Sequence, residues 1–113
     1  MNSTGFIRGY MAKNMEKEKF LEHVVWVLER QLQEWDDSYQ VNIIKRDDFI
    51  ISVQKNNVTI GVTICASKLA SLQAASPYAL DRYLWTELKD KGLQLKVKNG
   101  NYLDYVFSVI PGK

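Results

Sequence analysis

Hydrophobic and polar positions alternate from Gln40 to Cys65. There QVNIIKRDDFIISVQKNNVTIGVTIC places Val41 and Ile43, then Phe49, Ile51 and Val53, then Val58, Ile60, Val62 and Ile64 on one side of the chain. A period of two is that of a half-buried sheet, so the stretch predicts three short strands. Side-chain parity sets the turns between them. An odd loop, Arg46-Asp47-Asp48, keeps the first two apolar sets on one face. A two-residue Asn56-Asn57 turn does the same for the second and third, because asparagine tolerates positive φ. The opposite face carries Asn42, Ser52, Gln54, Thr59, Gly61 and Thr63, with Ile44 and Ile50 among them.

Elsewhere the period changes. Leu21, Val25, Leu28, Leu32 and Trp35 recur at spacings of 4, 3, 4 and 3, predicting an amphipathic helix from an Asn14 N-cap to about Trp35. Ala66 to Ala75 predicts a short helix that must stop before Pro77. Ser76-Pro77 then restarts the chain as N-cap and first helical residue, and the helix runs from Pro77 to Lys91 with Gly92 as its stop. Leu93–Lys98 and Asn101–Ile110 alternate, predicting a hairpin around Lys98-Asn99-Gly100. Residues 1–13 show no sustained period and read as a flexible leader. The expected fold is one α+β domain over residues 14–113, with a five-stranded, largely antiparallel sheet and helices on one face.

Composition narrows this little. A 113-residue chain, 46% hydrophobic, can bury a core without disulfides or metal. Cys65 stands alone, which suits a reducing cytoplasm. The apolar runs are too short to span a bilayer and no export signal is recognised, so a cytoplasmic protein without membrane attachment is expected. The net charge of +2 is uneven: seven acids against three bases from Glu16 to Asp37 give −4, leaving +6 for the rest. Such a chain is no polybasic nucleic-acid binder on charge alone, though its two parts are suited to charge-complementary self-association.

The residues of catalysis are sparse. His23 has no carboxylate at helical spacing to orient it and reads as a surface residue. Cys65 has no basic partner and reads as a small packed side chain. One histidine and one cysteine do not make a zinc site of the usual kind, and no phosphate-binding glycine motif occurs. No catalytic residue, metal or cofactor is expected, and the chain reads as a non-enzyme.

The order of a helix, three strands and a helix is similar to the core of PD-(D/E)xK nucleases, which place an acid on the second strand and acid-x-Lys on the third. Here Asp47 and Asp48 precede the second strand and Val58–Ile64 has no acid, so the metal site is missing. The order also resembles small type III secretion chaperone-like domains, a likeness that implies polypeptide binding and dimerisation; the customary final helix is absent from this reading.

Two surfaces remain as candidates. Trp26 lies opposite the Leu21/Val25/Leu28/Leu32 stripe, where an outward tryptophan is either an interface anchor or a ring covered by the leader or stacked under Arg30 one turn on. Tyr78, Arg82, Trp85 and Lys89 follow at spacings of 4, 3 and 4, lining a face that suits either burial against the short helix or a second subunit, or stacked bases and phosphates, with Asp81, Glu87 and Asp90 diluting its charge. The expected function is a small protein-binding domain, adaptor-, chaperone- or inhibitor-like, acting on a protein partner or on itself as a homodimer. The alternative is a nucleic-acid-binding accessory domain using the second face.

Overall fold

A computed structural model of the chain describes residues 5–95 and 102–107. In it the alternating stretch forms β1 (Gln40–Lys45), β2 (Phe49–Lys55) and β3 (Val58–Ile64), an antiparallel meander in the order β1-β2-β3. Val41 pairs with Val53 and Ile43 with Ile51, then Ile51 with Val62 and Val53 with Ile60. The three-residue and two-residue turns therefore hold the expected register, with Asn56 at φ 56°. Phe49, Ile51, Val53, Val62 and Ile64 are buried on the inner face, while Thr59, Gly61 and Thr63 are exposed on the outer one.

Helices cover the inner face. α2 (Lys17–Trp35) buries Leu21, Val25, Leu28 and Leu32, and a second flank, Phe20, Val24, Val27 and Gln31, is buried as well. α3 (Ala66–Ala75) occupies the expected span. α4 (Ala79–Asp90) packs against α2, α3 and β3 and ends at Gly92, whose φ of 111° suits only glycine there. Trp35 at the end of α2 meets Trp85 of α4, ring centroids 5.8 Å apart.

Both ends of the chain differ from expectation. Gly5–Asn14 is a helix, α1, which takes up most of the segment 1–13 read as a leader and also Asn14, read as the cap of the next helix. Asn14 does not cap α2; its side-chain amide donates to the Tyr10 carbonyl of α1 at 2.8 Å. α1 packs on α3, and the Gln73 side chain donates to the carbonyls of Ala12 and Met15, both at 2.9 Å, fixing the α1–α2 junction.

The sheet has three strands, not five. Leu93–Leu95 carry no strand, and Tyr102–Phe107 is a helix, α5, packed on α4. The rest of the expected hairpin, 96–101 and 108–110, lies outside the described residues. Tyr102, Leu103 and Val106 are buried together, spacings of one and three that suit a helix as well as Leu103/Tyr105/Phe107 suits a strand. Over so short an apolar run the two periods are not distinguishable, and packing against α4 decides between them.

Candidate functional site

On α2 the burial of both the Leu21/Leu28 stripe and the Phe20/Val27 flank leaves a narrow outer face, and Trp26 stands on it 49% exposed. The Arg30 guanidinium lies 5.0 Å from the Trp26 ring centroid, and the His23 ring centroid is 6.0 Å away. Beside Trp26 runs a cleft of about 230 Å³ lined by Val27, Arg30, Gln31, Glu34 and, from α5, Tyr102. Gln31 Nε2 donates to Glu34 Oε1 at 3.3 Å, so one wall is polar and already organised. His23 is half-buried rather than a surface residue, and burial, with the nearby Arg8 charge, pushes its imidazole below 6.5. The cleft joins an indole face, the Arg30 guanidinium and the Glu34 carboxylate.

The second predicted face is not assembled. Tyr78 and Trp85 are buried, Arg82 is half-buried with Nε donating to the Val106 carbonyl at 3.0 Å, and Lys89 alone of the four is exposed. The physical reason is what covers α4. Arg8 of α1 forms a wholly buried ion pair with Asp81, whose other carboxylate oxygen accepts from the Tyr102 hydroxyl. That hydroxyl in turn accepts from Trp85 Nε1 at 3.1 Å. Donors and acceptors thus run in one direction, from Trp85 to Tyr102 to Asp81, with Arg8 closing the chain. The Arg8 guanidinium also lies 4.7 Å from the Tyr78 ring centroid and 5.9 Å from that of Phe20.

Burial raises the Asp81 carboxyl above its usual range, against the opposing pull of Arg8 and Tyr102. Burial, with the Asp81 charge, lifts the Tyr102 phenol well above 10. For Arg8 burial acts to lower the value, but the charge and bond of Asp81 outweigh it and the net shift is upward. The network is thus a latch binding α1, α4 and α5. Sequence reading missed it, yet a signal was present. Tyr78, Asp81, Leu84, Trp85 and Leu88 are spaced 3, 3, 1 and 3, an acid inside an apolar stripe, which calls for a buried cation.

Cys65 is exposed rather than packed, because the chain turns there from β3 into α3. Its Sγ lies 3.3 Å from Ser67 Oγ, and that hydroxyl, with the Lys68 N–H, draws the thiol below its ordinary value. Among the described residues no three His, Cys, Asp or Glu side chains gather where they could hold a metal ion, and no helix is long and apolar enough to cross a membrane. No family model, curated protein or solved structure matches the chain.

Proposed function

We propose that the domain is a non-enzymatic protein-binding module whose contact face is the outer side of α2, with Trp26 as its anchor. The observation that carries this reading is Trp26 itself, half in water beside a cleft of about 230 Å³ in a fold that buries its other two tryptophans wholly or in part. An exposed indole loses water readily, and a partner's apolar side chain entering the cleft would cover it. Arg30 already lies against the ring and is placed to meet an acceptor at the rim, so the favoured partner offers an apolar side chain next to a carboxylate or carbonyl.

The test is a paired affinity purification from the native cell, nuclease-treated, with the wild-type domain and Trp26→Ala. A partner held by the wild type should be lost by the variant, its dissociation constant rising roughly thirtyfold at about 1.4 kcal/mol per decade. Equal recovery by both proteins, or no partner with either, counts against the reading.

A further inference from the structure

We infer that β3 is a pairing edge and that its occupant is β3 of a second copy, run antiparallel about Gly61. The inference is independent of the Trp26 face. It starts from the direction of the backbone groups. The Val41 N–H donates to Glu29 Oε2 at 3.0 Å, so it points away from β2. In an antiparallel ladder these directions alternate. Through the register Val41–Val53–Ile60 it follows that Val58, Ile60, Val62 and Ile64 bond to β2, while Thr59, Gly61 and Thr63 point their N–H and C=O groups outward. Among the described residues no strand pairs with that edge and no backbone bond reaches those three residues, all of them exposed.

The two edges of the sheet are treated differently. α2 packs beside β1, with Glu29 occupying an outward N–H and Lys45 Nζ held by Glu22 Oε2 at 3.1 Å and Glu18 Oε1 at 3.3 Å. Charged residues along an edge are the usual protection against strand addition. β3 has none. VTIGVTI carries no charge, no proline and no bulge, and its inner-face Val58 is 63% exposed, with Ile60 only partly covered.

The strand is also its own complement. With Gly61 opposite Gly61 of the second copy, Thr59 meets Thr63 and each outward residue exchanges both backbone bonds with its counterpart. Ile60 then faces Val62 and Val58 faces Ile64 on the apolar side, while threonine pairs form on the other. No like charges meet, since there are none on the strand. A seam one strand long is smaller than the roughly 1,200 Å² of a stable interface, so the dimer is concentration-dependent and exchanges rapidly.

Gly61 supplies the test. A Cβ placed there would meet only Ile50 Cγ2, at 3.9 Å, so the monomer tolerates side chains at this position. Its N–H points outward, so Gly61→Pro removes a seam bond and leaves the internal ladder whole. Sedimentation equilibrium of the full chain should show wild-type dimer growing with concentration, and Gly61→Pro weakening it tenfold or more. Gly61→Lys and Gly61→Glu cover the case in which the proline variant fails to fold. The lysine variant alone should be monomeric, because two like charges face each other on the axis. Mixed in equal amounts, the lysine and glutamate variants should form a heterodimer. Trp26→Ala should dimerise like the wild type, which separates this seam from the α2 face. A wild type monomeric up to about 1 mM overturns the inference. So do folded Gly61→Pro or Gly61→Lys variants that dimerise undiminished, a charge-variant mixture that stays monomeric, or loss of the dimer in Trp26→Ala.

Discussion

Helices α2 and α4 each carry a tryptophan with a basic residue four positions on, Trp26 with Arg30 and Trp85 with Lys89. One ring is half in water; the other is wholly buried, its Nε1 bonded to Tyr102. The aromatic–basic pair by itself does not separate them. The difference comes from what the chain lays over each face: α5 and Arg8 of α1 close over α4, while the outer face of α2 stays uncovered along its cleft. An aromatic–basic pair on a helix therefore marks a place that something covers, and topology decides whether the cover is the chain or a partner.

The covered face should be the fragile one. Asp81→Ala leaves the Arg8 charge buried without its counter-ion and should cost about 3–5 kcal/mol in urea denaturation. Replacing Arg8, Asp81 and Tyr102 together by Leu, Leu and Phe should cost far less than the sum of the single changes, because no charge is then left unpaired. Additive losses would mean that the three groups do not act as one latch.

Arg82→Ala removes the bond to the Val106 carbonyl and should cost about 1–2 kcal/mol, loosening α5 first. Hydrogen exchange should show this as faster exchange in 102–107 with α2 unchanged. Uniform acceleration across the domain would mean that Arg82 does not act on α5 in particular.

The smallest effect is at His23, beside the open face. Its folded-state value lies below 6.5, so the unfolded chain takes up the proton first as pH falls. Stability is therefore full above about 6.5 and declines as the pH drops from there toward the lowered folded value. His23→Gln should flatten the melting temperature between about pH 7.5 and 5.5; an unchanged slope would show that other groups set it. Asp36 acts in a lower window, since Ser38's N–H and hydroxyl, with Lys55, hold its carboxyl far below the usual range and its contribution is lost only in acid.

The meander was legible in the sequence because a period of two leaves little choice: parity kept the apolar sets on one face, and the three- and two-residue turns it called for are those that set Val53 opposite Val41 and Ile60 opposite Val53. α2, α3 and α4 were legible through stripes and stops, each within a few residues. What was not legible depends on contacts distant in the chain. α1 has two glycines and no stripe, and it is held by Arg8 reaching Asp81, 73 residues away. α5 is six residues long, too short for its period to declare itself. The same limit applied to the site. Trp26 is half exposed, as its place off the α2 stripe predicts, whereas the cover over Tyr78 and Trp85, expected from the short helix or a second subunit, comes from elements read as a leader and a strand.

The contrast between the two tryptophans is tested most directly by truncating each and measuring the loss of stability under the same urea titration. Trp85→Ala should lose about 3–5 kcal/mol, through the cavity and the loss of the indole N–H donated to the Tyr102 hydroxyl. Trp26→Ala should lose no more than about 0.5 kcal/mol, as for a surface change away from any buried network. Comparable losses at the two positions would contradict the account, because Trp26 would then be part of the core and not free to anchor a partner.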